Sequence, residues 1–381
     1  MDRMNRRFRA LWVVISMILI AALLISCSPQ ATAEPTPEPL PGTAPTAAPD
    51  QPEPPAAEGK FTIGISNPFI SSEYRTQMIA SLIEINKEYM DMGITTELVI
   101  ESADTDVAGQ IQQLQNLINR NVDAILVNPG DVQGLNAILQ EAVQKGIIVI
   151  SVDQELNVHG VYNVGIDQKE WAKTSALWLA EKLDGTGNIV LIEGFPGHPA
   201  NVARMDGVDE VLANFPDITV LAKDTGRWDQ ATGQQVMSNF LAAFPDLDGY
   251  WTQDGMAIGA LQAVLAANPA KFPAMVGEGR CQFINLWVDV LADRPDFETI
   301  AVANPPGVSP TGLRIAVNML MGKQVDTAKL GGVNGLSFVI PVPIVVTKDN
   351  LQEAVAICAD KPDAYLLDGI MTDAEVQEYF K

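Results

Sequence analysis

Histidine and cysteine are scarce in this chain, with two of the first and three of the second among 381 residues. That scarcity removes the commonest general base and the commonest ligands of transition metals. His159 and His198 each stand alone in loops, where a single imidazole reads as a surface residue, and neither HExxH nor CxxC occurs. No GxGxxG follows a strand pattern, and GxxxxGK[ST] and GxSxG are missing as well. Gly185-Thr186-Gly187 is a two-glycine turn, and the GGVNG of 331–335 follows a helix and reads as a lobe connection. Positive charge is also short. Against 47 Asp and Glu stand 24 Lys and Arg, a net charge of −23, which excludes nucleic acid bound by counterion release. The acidity serves solubility. Acid–base chemistry is left only to carboxylates far apart in sequence, such as Asp153 and Glu278. The chain reads as a non-enzyme without cofactor or metal.

The first 26 residues read as an export signal and are set aside from fold reasoning. Arg3, Arg6, Arg7 and Arg9 precede an apolar run, Leu11–Ile25, that is short for a membrane span of about 20 residues. Leu24-Ile25-Ser26-Cys27 resembles the bacterial lipobox, which marks Cys27 for lipidation and the chain for an extracytoplasmic, membrane-anchored address. From residue 27 to 59 the sequence is Pro, Ala, Thr and Glu with almost nothing large and apolar, the composition of a disordered, semi-stiff tether. Outside the cytoplasm a disulfide persists, so Cys281 and Cys358 form either one bridge or two buried thiols.

From residue 60 onward, short β-rich runs alternate with amphipathic stretches. Strands are expected at 61–66, 96–101, 123–128, 147–153, 188–193, 219–224, 249–253, 274–277 and 299–303. Between residues 106 and 120, Val107, Ile111, Leu114, Leu117 and Ile118 recur every three or four positions, a helix face. Ile147-Ile148-Val149-Ile150 is apolar throughout, as a parallel strand covered on both faces should be. The alternation predicts an α/β fold, and this many strands predict two Rossmann-like lobes with parallel sheets. No Pro- or Ser-rich break separates them, so a short hinge is expected near residues 162–167.

In such sheets ligands bind beyond the carboxyl ends of the strands. There the sequence places Asn67 and Phe69, Asn128, Asp153 and Gln154, then Arg204, Trp228, Gln253 and Asp254, Glu278 and Asn304. Asp104, Asp131 and Asp167 stand at the same edge but read as turn and cap residues. Amides, carboxylates and an arginine fork meet hydroxyl groups as donors and acceptors, and aromatic faces cover the C–H faces of a sugar ring.

Taken in order, ISNPF, VNPGD, ISVDQ, NVARMDG, DTGRWDQATGQQVM, WTQDGMAIGAL, MVGEGR and VANPPG resemble the blocks of type I periplasmic sugar-binding proteins, the ribose/galactose-like receptors of ABC importers. The resemblance spans residues 60–345 and implies lobes joined by three crossovers, with 60–164 and 305–336 in the N-terminal lobe and 165–304 and 337–381 in the C-terminal one. It implies that Asn67, Phe69, Asn128, Asp153, Arg204, Trp228, Gln253 and Asn304 touch the ligand, with Asp254 and Gln154 beside them. Three departures stand out: Gln154 where ribose-type members carry arginine, Ile70 where a second ring is common, and Glu278 or Arg280 in place of an aspartate. The implied protein is a monomeric lipoprotein that delivers a monosaccharide or polyol to an ABC permease. The alternatives are a sugar receptor for a chemotaxis or sensor-kinase partner, and an exported sugar-acting enzyme. The sequence names neither the sugar nor the permease.

Overall fold

The structure, a computed structural model, describes residues 60–70, 72–342 and 344–381. The signal, the tether and Cys27 lie outside them. Twelve strands form two six-stranded sheets. The first holds β1 (Ile63–Asn67), β2 (Val99–Ser102), β3 (Ala124–Val127), β4 (Ile148–Val152), β5 (Tyr162–Ile166) and β11 (Ser337–Ile340), in the order β11-β5-β4-β3-β1-β2 and parallel throughout. The second holds β6 (Thr186–Glu193), β7 (Asp217–Thr225), β8 (Gly249–Trp251), β9 (Ala274–Glu278), β10 (Thr299–Val302) and β12 (Val345–Val346), in the matching order β12-β10-β9-β8-β6-β7. Only β12 runs antiparallel.

Helices cover both sheets. On the first lobe lie α1 (Glu73–Asp91), α2 (Val107–Asn119) and α3 (Asn136–Gln144). On the second lie α4 (Gln168–Lys182), α5 (Pro199–Leu212), α6 (Gln230–Ala243), α7 (Met256–Ala267) and α8 (Cys281–Asp293). The chain then returns to the first lobe in α9 (Val308–Leu320), whose Leu313, Ala316 and Val317 are fully buried. Strands β3 and β4 are sealed on both faces, with Ala124, Ile125, Val149 and Ile150 at 0% exposure, which accounts for their unbroken apolar sequence. Asp167 caps α4 through the amides of Lys169 and Glu170, and Asp131 holds the turn at Gln133 and Gly134, as their turn-and-cap reading requires.

The chain crosses between lobes at 166–168, 302–308 and 340–345, and Ile166, Val302, Val308 and Ile340 from these crossings share one apolar cluster. Two expectations need correction. β11 pairs with β5, so residues 337–340 belong to the first lobe; the GGVNG of 331–335 is the turn feeding that strand and not a lobe connection. There Asn334 donates to the carbonyls of Leu156 and Val161. The tail also does not stay on the second lobe. Its helix α10 (Leu351–Cys358) packs there, but a fourth crossing carries α11 (Asp373–Gln377) back to the first lobe. Arg314 on α9 binds Asp373 at 3.1 Å and Glu88 at 2.9 Å, and the Tyr89 hydroxyl donates to Asp373 at 2.6 Å. A five-residue helix is marginal by itself, and these ion pairs with the buried Val376 beneath them hold it on the first lobe.

Cys281 and Cys358 form a disulfide that ties the start of α8 to the end of α10 across 77 residues of chain. Cross-linking a loop of that length limits the unfolded ensemble. Replacing both cysteines by serine is predicted to lower stability by roughly 2–5 kcal/mol, read from chemical denaturation under oxidising conditions. An unchanged midpoint would rule out a stabilising role for the bridge.

Candidate functional site

Parallel strands bring their carboxyl ends to one edge of each sheet, and the two edges supply the walls of a cleft. On the first wall Asn67 ends β1 and is 1% exposed; its amide nitrogen donates to Ser102 at 2.9 Å and to the Phe69 carbonyl at 2.5 Å. Its Oδ1 is buried with no partner among the described residues, and the same holds for Asn128 Oδ1 after β3. Asp153 follows β4 with φ of 73°, a left-handed backbone that aspartate tolerates better than most residues. Gln154 beside it is buried. Phe69 and Ile70 are more exposed, at 40% and 52%.

The second wall is one continuous network. Arg204 on α5, 1% exposed, donates through Nε to Gln168 at 2.8 Å and through Nη1 to Gln253 at 2.8 Å and Asp254 at 2.5 Å. Its guanidinium also lies 4.1 Å from the Trp171 ring centroid. Trp228 Nε1 donates to Gln253 at 2.9 Å, and the Gln253 amide donates to Asn201 at 2.9 Å. Gln168 extends the network to Asn304 at the second crossing, at 3.5 Å. Trp228 has φ of 56° and stacks edge-on with Phe195 and His198, at 5.3 and 4.8 Å between centroids. It lies so close over Gly194 that a Cβ there would come within 2.3 Å of the indole.

Glu278 ends β9, 2% exposed, and accepts from Arg280 Nε at 2.9 Å, while its Oε2 has no partner among the described residues. Burial pushes its carboxyl up to about 7, against the pull of Arg280. Arg280 also reaches Glu73 on α1 at 3.6 Å, a direct ion pair between the lobes.

Four participants were not singled out as site residues in the sequence. Tyr74 and Arg75 occupy the first turn of α1; the Tyr74 hydroxyl donates to the Pro305 carbonyl at the hinge, and Arg75 pairs with Asp153 at 3.6 Å. Gln168 links Arg204 to the hinge. His198, read as a surface residue, is half-buried; burial pushes its pKa down to about 4, and it feels the charges of Asp153, Arg75 and Arg204 from both walls. A detectable signal did exist for Arg75: a cation in a first helical turn opposes the helix dipole, so it needs another reason to be there. A groove lined by Glu73, Thr76, Gln77 and Tyr365 opens outside these walls, and no orphaned buried side-chain atom faces it.

Two α/β lobes of matching strand order, with polar groups gathered where their strand ends face each other, define a class of hinged binding proteins. The periplasmic binding protein domain matches residues 63–324, and the chain belongs to that family, which implies an extracytoplasmic address. Among relatives, the xylitol-binding protein of Mycolicibacterium smegmatis is 32% identical over 299 residues, covering 77% of this chain and 81% of the relative. The ribose import binding protein of Bacillus subtilis is 28% identical over 207 residues, 54% and 66% of the two chains. An ABC transporter solute binding protein from Thermobispora bispora superposes with a TM-score of 0.72 at 21% identity, covering 84% of this chain and 94% of that one. Another, from Bacillus halodurans with bound myo-inositol, superposes with a TM-score of 0.65 at 24% identity, covering 79% and 99%. These relatives are binding proteins and not enzymes.

The raised Glu278 carboxyl has a consequence for stability. Its folded pKa of about 7 lies above the ordinary 4.5, so the folded chain holds a proton that the unfolded chain releases. That stabilisation is complete below about 4.5 and is lost as pH rises towards 7. Glu278→Gln is predicted to flatten this part of the profile, so that its denaturation midpoint exceeds the wild-type one at pH 8. Parallel profiles for the two proteins would show that Glu278 ionises normally.

Proposed function

We propose that the protein captures a neutral monosaccharide or related polyol between its lobes and delivers it to an ABC permease. In this reading a lipid on Cys27 holds a monomeric receptor at the outer face of the cell membrane, with residues 27–59 as spacer. The observation that carries the ligand class is the pairing of charges on the two walls. Each buried arginine has its own carboxylate: Arg75 with Asp153, Arg204 with Asp254, Arg280 with Glu278. Among the described residues, no buried arginine of the walls lacks a carboxylate with which a phosphate or a sugar acid would compete, whereas orphaned amide and carboxylate oxygens suit hydroxyl donors. The xylitol- and ribose-binding names of its relatives point the same way.

Binding would favour the closed arrangement because the ligand contacts both walls at once, and only differential contacts shift such an equilibrium. Asn67, Asn128 and Asp153 would act from one side, with Trp228, Gln253 and Glu278 from the other. Arg204 is a poor probe of this idea. Removing it would leave Asp254 without its cation, take a donor from Gln168 and from Gln253, and cost stability as well as affinity.

Trp228 is the cleaner choice. Thermal-shift screening of residues 58–381 against pentoses, hexoses and polyols should find a ligand that raises the melting temperature. Trp228→Ala is then predicted to weaken that ligand at least tenfold, about 1.4 kcal/mol. Gly194→Ala should weaken it as well by displacing the indole, without touching the ligand itself. No shift with any neutral sugar or polyol would overturn the proposed function; equal affinity in both variants would remove Trp228 from the site.

A further inference from the structure

One arginine serves two carboxylates, and they belong to different lobes. Arg280 stands at the head of α8, 9% exposed, and donates through Nε to Glu278 of its own lobe at 2.9 Å. Its Nη1 lies 3.6 Å from Glu73, in the first turn of α1 on the other lobe. Arg280 itself is held by its surroundings: its amide donates to the Glu278 carbonyl, Leu366 of the tail pairs with it, and the adjoining Cys281 is bridged to Cys358. The two carboxylates are unlike. Glu278 is 2% exposed with Oε2 unpartnered among the described residues, whereas the Glu73 side chain is 55% exposed.

Where two acids share one base, the one out of water gains more from a proton, because a neutral acid costs less to bury than an anion. Water goes on solvating the other. The remaining charges near Glu278 do not alter this ranking. Asp254, after β8, repels its charge and is paired with Arg204; Arg75, from the same turn as Glu73, faces Asp153; Asp368 of the tail accepts from the Gly307 amide. Burial keeps His198 neutral above about 4. Parting the lobes takes Glu73 away with α1 and leaves Glu278 with Arg280, one acid to one base. The ionised carboxylate is then the favoured form.

We propose that the lobes close on their ligand with uptake of one proton from solvent, bound at Glu278 Oε2, while Arg280 passes its ion pairing to the arriving Glu73. This rests on the closing receptor proposed above and adds a proton to what it captures. No cation is freed in the exchange, because Glu73 replaces the carboxylate that is neutralised. Opening reverses each step, so the proton leaves with the ligand. A folded value of about 7 against the ordinary 4.5 sets the window: affinity is highest below about 4.5, weakens as pH rises towards 7 and is level above it.

The test is calorimetric titration with xylitol, D-ribose, D-allose and myo-inositol, with whichever binds then measured at about pH 6 in buffers of small and large ionisation enthalpy. The dependence of binding heat on buffer counts the protons taken up. The wild type is expected to take up a large fraction of one proton and to bind at least about fivefold more weakly at pH 8 than at pH 5. Glu278→Gln should bind with no proton uptake and a level affinity, and Glu73→Gln should take up less than the wild type. Binding by the wild type without proton uptake overturns the proposal. So does an uptake that survives in Glu278→Gln, or one that Glu73→Gln leaves undiminished. Should Glu278→Gln fail to fold, the wild-type count and the exposed Glu73 decide the matter alone. If the wild type binds none of these probes or any other neutral polyol, the failure lies with the proposed function rather than with the proton.

Discussion

A guanidinium with 1% of its surface in water must be surrounded by acceptors, and Arg204 organises much of this structure by meeting that demand. Its partners come from separate places in the chain: Gln168 at the head of α4, Gln253 and Asp254 after β8, and Trp171 as a ring beneath it. Through Gln168 the same group reaches Asn304 in the second crossing. Through Gln253 it fixes the indole of Trp228. One buried charge therefore sets the positions of a wall, a ring and part of the hinge.

The opposing wall follows a different logic. It is held by strand geometry and by apolar packing around β1, β3 and β4, while its polar groups remain underused. The second wall carries the denser network, though Glu278 Oε2 and Thr252 Oγ1 stay without a partner among the described residues. Under the proposed function both walls would offer free acceptors to a ligand, and the network around Arg204 would lower the ordering cost of closure.

Much of this was legible in sequence, for identifiable reasons. The strands at 124–127 and 148–152 are sealed on both faces and so carry unbroken apolar runs, and parallel connections then oblige their ends to share an edge. Asn67, Asn128, Asp153, Gln253 and Glu278 could be found that way because each sits on or just past a strand end. Arg75 and Tyr74 could not, since they enter the cleft from a helix turn. His198 looked like a lone loop residue, and only the ring of Trp228, thirty residues on, makes it part of a wall. The last segments were hardest: β12 has two residues, α11 has five, and the partners of α11 are Tyr89 and Arg314, far away in the chain.

That returning tail changes the mechanics of the molecule. It is fastened to the second lobe by the Cys281–Cys358 bridge and to the first by Asp373, and between those points Leu366 and Asp368 bind Gln77 on α1. Three short crossings alone define an axis and leave the angle of opening free. A fourth segment, pinned at both ends and of fixed contour length, works like the chain on a door. It puts an upper bound on how far the lobes swing apart, and so limits the width of the mouth between them.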